Sequence, residues 1–240
     1  MRNALVTGGT RGIGLAIAES LLIDHDAVYV VGRSNPYAIE AGSPDLKWVK
    51  ADMEAAYWWR ALPTLTELST LVHAAGAMIV KPLDRTALAD LEQMMTLHVA
   101  SPLRLTQVFW KQLQTAGSSA AVIFLTSLVA HQGGSNLGAY AASKAAEHAL
   151  AMTLAKELAP VRVNCVAPGV VATDMMGHMA EELSGILNKP VAELLSSFTA
   201  KQLVKRVTTT GDVAKLVRMV IDNPALTGTT FHINGGSLVT

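Results

Sequence analysis

The chain has 240 residues, of which 50% are hydrophobic, and it carries 19 basic and 19 acidic residues. This length suffices for one or two domains with a full core, and the balanced charge argues against nucleic acid as a partner. No apolar run is long enough to span a bilayer, and a strand signal directly after Met1 leaves no room for a signal peptide. The single cysteine, Cys165, excludes an intrachain disulfide and fits a reducing compartment. We therefore expect a cytoplasmic protein without a membrane partner.

Strand and helix signals alternate along the chain. Helical spacing of apolar residues covers 15–23 and 88–113, and a strongly helix-forming run follows Tyr140. Short apolar runs indicate strands at 4–6, 28–31, 47–50, 71–73, 120–125, 161–166 and 230–233. This alternation predicts right-handed crossovers and one α/β domain over 1–240, a doubly wound parallel seven-stranded sheet with helices on both faces.

In sheets of this kind, ligands bind in a crevice outside the carboxyl ends of the strands. The residues that follow six of the predicted strands are Gly8, Arg33, Asp52, Gly76, Ser127 and Gly169. We expect them to converge on one edge of the sheet.

The loop after the first strand is rich in glycine, at Gly8, Gly9, Gly12 and Gly14, although it does not match G-x-G-x-x-G. Small residues there permit a tight turn and a close approach of the backbone to a pyrophosphate. The free amides at the start of the next helix favour negative charge. A tight strand–helix turn is the alternative, but the place of the loop after a first strand favours dinucleotide binding.

The residues after the second strand bear on the choice of dinucleotide. A site for NAD places an acidic residue about 20 residues past the glycines, where it bonds the ribose 2′-hydroxyl. Arg33, Ser34 and Asn35 stand there instead, without an acid among them. Arg33 and Arg11 suit a 2′-phosphate, so NADP(H) is favoured over NAD(H). Two solvated surface arginines are the alternative.

Tyr140 and Lys144 are four residues apart in a predicted helix, so their side chains share one face. A cation beside a phenol favours the ionised form and makes the phenol a better proton shuttle near neutral pH. Ser127 follows a buried strand and is placed to donate a hydrogen bond to a substrate oxygen. An ordinary surface pair of Tyr and Lys is the alternative.

Together, the glycine loop, Ser127 and the Tyr140/Lys144 pair resemble the short-chain dehydrogenase/reductase family, over essentially the whole chain. The resemblance implies a Rossmann fold with Ser127, Tyr140 and Lys144 as catalytic residues. It implies contacts of Asp52 and Met53 with adenine, and of Val171 (backbone) and Thr173 (hydroxyl) with the nicotinamide amide. The full set of cofactor-binding residues that it implies is Gly8, Thr10, Arg11, Gly12, Ile13, Gly14, Arg33, Asp52, Met53, Ala75, Gly76, Tyr140, Lys144, Pro168, Gly169, Val171 and Thr173.

Two positions depart from the family pattern. His73-Ala74-Ala75-Gly76 stands where the family usually has Asn-Asn-Ala-Gly, with little effect expected on the chemistry. His98 stands where the family commonly has an asparagine that helps hold a water chain leading from the lysine to solvent. A histidine can itself relay a proton near neutral pH. It can equally be a core side chain with its hydrogen bonds satisfied, and both interpretations stay open.

The resemblance implies hydride transfer between NADP(H) and a small ketone or secondary alcohol, with Tyr140 as general acid or base. The segment 174–205 is the expected substrate lid, and its methionines either adapt to apolar shapes or pack a helix onto the core. No cluster of arginines suits a phosphorylated substrate, so a neutral, mostly apolar one is preferred. The seven histidines are scattered, so we expect no metal site. Small and apolar residues on the helices from 88 and 140 indicate a homo-oligomer, a tetramer or dimer. The alternatives are an NAD-dependent alcohol dehydrogenase and a non-catalytic nucleotide sensor of the same fold.

Overall fold

The computed structural model describes residues 2–35, 45–200 and 202–238. Within these residues, one sheet contains seven parallel strands in the order β3-β2-β1-β4-β5-β6-β7. The strands are β1 (Asn3–Thr7), β2 (Ala27–Gly32), β3 (Leu46–Lys50), β4 (Leu68–His73), β5 (Ala121–Leu125), β6 (Arg162–Pro168) and β7 (Thr230–Ile233). The predicted fold class and all seven predicted strands are confirmed.

Helices of the described residues connect β1 to β2 and the strands from β4 to β7, and they cover both faces of the sheet. They are α1 (Gly12–Leu21), α2 (Leu88–Met95), α3 (Ser101–Val108), α4 (Trp110–Ala116), α5 (Val129–Gln132), α6 (Gly138–Glu157), α7 (Asp174–Leu187), α8 (Val191–Ala200) and α9 (Thr210–Asp222). The helix expected over 88–113 is divided, because a π-helical turn, Thr96–Ala100, separates α2 from α3. The expected lid, 174–205, comprises α7, α8 and the chain after them, of which residue 201 lies outside the described residues.

Helix α9 has no counterpart among the predicted elements. Thr209 begins it with a capping box, in which the Thr209 hydroxyl accepts from the Asp212 amide and the Asp212 carboxylate accepts from the Thr209 amide. Such a box satisfies two backbone donors at the helix start. The pattern Thr-x-x-Asp is therefore a local signal for this helix.

The sheet has a separate hydrophobic core on each face. On β1, Leu5 belongs to one core, whereas Ala4 and Val6 belong to the other, as the alternation of side chains along a strand requires. Ile17 of α1 and Val217 of α9 pack in the core with Val6. Burial on both faces explains why the strands appear in the sequence as continuous apolar runs.

Side-chain and backbone hydrogen bonds join neighbouring strands at their carboxyl ends. The Thr7 hydroxyl, at the end of β1, accepts from the amides of Ala74 and Ala75 after β4, both at 3.2 Å. Beyond β5, the Leu128 amide donates to the Pro168 carbonyl at the end of β6 at 2.9 Å. These bonds fix the loops at this edge relative to one another. Among the described helices, none is long and apolar enough to cross a membrane.

Candidate active site

A cavity of about 610 Å³ opens at the carboxyl edge of the sheet. Most of the residues that the sequence assigns to the cofactor line it: Gly8, Thr10, Arg11, Gly12, Ile13, Gly14, Arg33, Asp52, Met53, Ala75, Gly76 and Thr173. Ser127, Tyr140, Lys144, Pro168, Gly169 and Val171 are not among its lining residues. The wall also contains residues to which the sequence analysis gives no role, among them Glu54, Lys81, His178 and Glu182.

The glycine loop brings the end of β1 close to the start of α1. A Cβ atom on Gly14 would lie 2.3 Å from the Gly8 carbonyl oxygen, closer than any side chain can approach. Gly8 has φ +64, and a Cβ there would lie 2.6 Å from the Ala75 Cα. Helix α1 begins after Arg11 without a side-chain cap and without an acidic residue in its first turn. Its first amides therefore remain available to an anion, and the loop fits a dinucleotide pyrophosphate.

The residues assigned to the adenosine end of the cofactor lie on the cavity wall, and so does Thr173 from the nicotinamide end. Arg11 and Arg33 are exposed there, as the two guanidinium groups of a phosphate site would be. Asp52 is exposed beside them, and one of its carboxylate oxygens accepts from the Glu54 amide at 3.1 Å. Across the cavity, Thr173 Cγ2 would lie 3.8 Å from a Cβ on Gly12. Thr173 therefore faces the glycine loop.

The residues expected at the nicotinamide end are held by β6 and β7. The Gly169 amide donates to the Ile233 carbonyl at 2.9 Å, and Pro168 is buried at the end of β6. The Thr173 hydroxyl donates to the Val171 carbonyl at 3.3 Å. These bonds fix the chain from Pro168 to Thr173 as it leaves the sheet.

Tyr140 and Lys144 are buried in the first turns of α6, with exposed fractions of 6% and 4%. A surface pair is therefore excluded. The Lys144 ammonium donates to the Leu125 carbonyl at 2.8 Å and to Glu147 Oε2 at 2.7 Å. A Cβ on Gly76 would lie 3.9 Å from Lys144 Nζ, so the ammonium lies directly behind the cavity wall.

Ser127 is almost entirely buried just beyond β5, with an exposed fraction of 9%. Its hydroxyl accepts from the Val129 amide at 3.4 Å, and its carbonyl accepts from the Ala130 amide. These contacts belong to the first turn of α5 and hold Ser127 at the carboxyl edge.

His98 is fully buried in the π-helical turn, and both of its ring nitrogens are hydrogen-bonded. The Ala77 amide donates to Nε2 at 3.3 Å, so Nδ1 carries the proton and donates to the Ser143 hydroxyl at 2.8 Å. Ser143 in turn donates to the Tyr140 carbonyl at 2.8 Å. Burial, and then the charge of Lys144, lowers the His98 pKa to about 2. This neutral, fully bonded ring favours the structural interpretation over a proton relay.

Ser143 and Glu147 are polar residues of this site that the sequence analysis does not single out. Both are completely buried on α6, at one residue before and three residues after Lys144. Ser143 follows Tyr140 by three residues, and Glu147 follows Lys144 by three residues. This spacing is the signal that could have found them, because it places each on the same helix face as its partner.

The histidines are not all scattered, contrary to the expectation. The His131 ring lies 4.9 Å from the His148 ring and 4.8 Å from the His232 ring, between centroids. The His148 Nε2 also bonds the Thr230 hydroxyl at 2.9 Å. Among the described residues, however, no group of three or more His, Cys, Asp or Glu side chains is arranged to hold a metal ion.

The profile of the family described as short chain dehydrogenase matches residues 2–184. The chain belongs to this family. Members of the short-chain dehydrogenase family are oxidoreductases that bind nicotinamide cofactors, so the resemblance in the sequence is confirmed. The fold is that of a family member.

Two relatives of the chain are named as dehydrogenases of a diol and of an alcohol. L-2,3-butanediol dehydrogenase of Corynebacterium glutamicum is 30% identical over 254 residues, which cover 98% of each chain. An NADP-dependent (R)-specific alcohol dehydrogenase of Lentilactobacillus kefiri is 28% identical, over 97% of this chain and 95% of its own. The crystal structure of a short chain dehydrogenase family protein from Francisella tularensis matches with a TM-score of 0.89 and 24% identity. That match covers 99% of this chain and 98% of the other, and it establishes the fold.

Proposed function

We propose that the protein is an NADP(H)-dependent oxidoreductase that interconverts a small, mostly apolar ketone and its secondary alcohol. The observation that carries this proposal is the placement of Lys144. Its ammonium is buried on the helix of Tyr140 and lies behind Gly76 in the wall of the dinucleotide cavity. A cation in this position can act on the phenol and on a bound ligand at once.

The catalytic work would be divided among three side chains. In the reduction direction, Ser127 donates a hydrogen bond to the carbonyl oxygen, which holds the substrate and polarises the C=O bond. Tyr140 donates its phenolic proton to the same oxygen as general acid. Lys144 favours the phenolate that remains and holds a ribose hydroxyl of the cofactor. In the oxidation direction the phenolate accepts the alcohol proton.

The cofactor would be held by the glycine loop at its pyrophosphate, by Asp52 and Met53 at the adenine, and by Val171 and Thr173 at the nicotinamide amide. When bound, NADP(H) supplies or accepts the hydride. The close approach of Gly14 to Gly8 leaves room for phosphate oxygens against the α1 amides.

The preference for NADP(H) rests on charge. Arg11 and Arg33 both line the cavity, and a 2′-phosphate bound there would accept hydrogen bonds from both guanidinium groups. The relative from Lentilactobacillus kefiri is NADP-dependent by name, which supports this choice. An NAD-dependent alcohol dehydrogenase is the second candidate.

The substrate would enter between the cavity floor and the lid over 174–205. Met78 and Ile79 line the cavity from the segment after β4, and Met175 and Met179 line it from α7. Flexible thioether side chains adapt to apolar shapes of different size. This wall favours a neutral substrate over a phosphorylated one. A homo-oligomer and a cytoplasmic location remain predictions.

A turnover screen tests the proposal. The purified protein is assayed with NADPH and with NADH against small ketones, and with NADP⁺ and NAD⁺ against the matching secondary alcohols, at 340 nm. We expect turnover of at least one apolar ketone with NADPH and slower turnover with NADH. Absence of turnover throughout the panel would support the non-catalytic alternative, and faster turnover with NADH would support the second candidate.

A further inference from the structure

Glu147 is a buried carboxyl beside the catalytic residues, and the proposed reaction gives it no role. It is completely buried, and Oε2 accepts a hydrogen bond from Lys144 at 2.7 Å. Among the described residues, its second oxygen, Oε1, has no hydrogen-bond partner. An unpaired buried oxygen costs free energy, and apolar residues often replace buried ion pairs without loss of stability. Stability alone therefore does not explain a carboxyl at this position.

Glu147 acts on the cavity through Lys144. An ammonium has three donor hydrogens. Two of those on Lys144 are directed to Leu125 at the end of β5 and to Glu147 one turn along α6. Together these contacts fix Nζ behind Gly76. The third hydrogen bonds none of the described residues and is left for a ligand.

The titratable groups around this pair come from three other elements and are uncharged at neutral pH. On β4, burial and then Lys144 lower the His73 pKa to about 3. In the π-helical turn, the same two causes lower the His98 pKa to about 2. On β6, burial and then Glu147 raise the Cys165 pKa to about 12. Apart from the reacting phenol of Tyr140 on the same helix, Lys144 and Glu147 are therefore the groups that can carry charge in this part of the described interior.

The charge of the pair depends on pH near neutrality. Burial raises the Glu147 pKa to about 7, although the charge of Lys144 and its hydrogen bond act in the opposite direction. Below that pH the carboxyl is neutral, and the positive charge of Lys144 acts on its surroundings undiminished. Above it, the carboxylate offsets that charge, so Lys144 favours the ionised phenol of Tyr140 less strongly.

We propose that Glu147 is a positioning residue of the reaction, which fixes the Lys144 ammonium behind the cavity wall and moderates the positive charge that Lys144 presents to Tyr140. The inference rests on the proposed function, in which Tyr140 exchanges the proton. Above neutral pH the Glu147 carboxylate offsets the charge of the ammonium beside the reacting phenol, and so extends the pH range of reduction.

Glu147→Gln tests this role, because the amide keeps the shape and the hydrogen-bond acceptor but loses the charge. With the best ketone of the turnover screen, we expect the alkaline limb of kcat for reduction to move to lower pH by about one unit, the scale of a nearby charge. The KM for the ketone should stay within about twofold. Glu157→Gln, on the exposed end of the same helix, is the matched control and should leave the profile unchanged.

The outcomes separate the two proposals. A uniform loss of kcat with an unmoved limb would reduce Glu147 to a structural role and overturn the inference. If Tyr140→Phe retains normal turnover, the proposed function fails instead.

A measurement without substrate decides the ionisation of Glu147 itself. In protein labelled with ¹³C at the glutamate carboxyls, one resonance should titrate near pH 7 and be absent in Glu147→Gln. Titration of that resonance only in the ordinary acidic range would also overturn the inference.

Discussion

The Nδ1 of His98 lies 2.8 Å from the Ser143 hydroxyl, and this bond joins the π-helical turn to α6, the helix of Tyr140 and Lys144. The same hydroxyl donates to the Tyr140 carbonyl at 2.8 Å, one turn earlier on α6. The His98 ring also packs edge-to-face against the Tyr140 ring, with centroids 5.6 Å apart. The backbone and ring of Tyr140 are thus held from the side of the molecule that carries His98.

Ser143→Ala should destabilise the fold, because it leaves the buried Nδ1–H of His98 without an acceptor. We expect the free energy of unfolding to fall by about 1–3 kcal/mol, the usual cost of an unpaired buried donor. Denaturant unfolding measures it. Ser196→Ala removes a helix serine with an exposed hydroxyl on α8 and should change the free energy by less than about 0.5 kcal/mol. Equal effects of the two substitutions would contradict the assigned bond.

His98 should make the fold sensitive to acid. Its pKa is about 2 in the folded protein, against an ordinary value of 6.5. Below pH 6.5, His98 binds a proton in the unfolded chain but not in the folded chain, so the free energy of unfolding falls as the pH falls. The loss is about 1.4 kcal/mol per pH unit.

His98→Asn should remove this contribution. Between pH 6 and pH 4, the free energy of unfolding of the variant should fall less steeply than that of the natural chain by about the same 1.4 kcal/mol per unit. His73 contributes in the same direction in both proteins. His178→Asn, on the exposed side of α7, is the control and should keep the natural slope. An unchanged slope in His98→Asn would show that the ring is protonated in the folded protein.

Gly14→Ala should impair cofactor binding. The new Cβ would lie 2.3 Å from the Gly8 carbonyl, and because that oxygen is backbone, α1 must move away from the loop. We expect the Kd for NADPH, measured by fluorescence titration, to rise about tenfold or more, since misplaced donors lose much of their effect. Gly185→Ala on α7 meets no atom within 4 Å and should leave the Kd unchanged. Unaltered affinity in Gly14→Ala would place the pyrophosphate elsewhere.

Arg33→Ala should weaken the binding of NADPH selectively. A charge-assisted hydrogen bond to the 2′-phosphate accounts for roughly a tenfold or larger rise in the Kd for NADPH, while the Kd for NADH should change by less than about twofold. Arg85→Ala, an exposed arginine beyond the cavity wall, serves as the control. If the Kd values for NADPH and NADH rise equally, Arg33 does not bind the 2′-phosphate.

The sequence predicts the strands and the crevice because their signals are local. Strands β1 and β5 are buried on both faces, so residues such as Leu5 and Val6 are apolar without interruption. The glycines of the loop are also recognisable in the sequence, because the close approach of Gly14 to Gly8 tolerates no side chain. Order along the chain then brings these positions to one edge of the sheet.

The buried polar residues of the site cannot be predicted from the local sequence in the same way. Glu147 follows Lys144 by three residues, which in an isolated helix is an ordinary solvated pair, and it is buried only because α6 packs on β5 and β6. Likewise His131, His148 and His232 are distant in the sequence, and the packing of α5 on α6 together with the pairing of β7 with β6 brings them together. Long-range packing, which has no local pattern, determines both features.

Tyr140→Phe tests the central claim most directly, because it removes only the phenolic hydroxyl. With the ketone that the turnover screen identifies, kcat should fall by roughly 10²–10⁴-fold, the scale of a lost general acid. The Kd for NADPH should stay within about threefold, since the glycine loop and Arg33 are untouched. Near-normal turnover in this variant would contradict the assignment of Tyr140 as the proton donor.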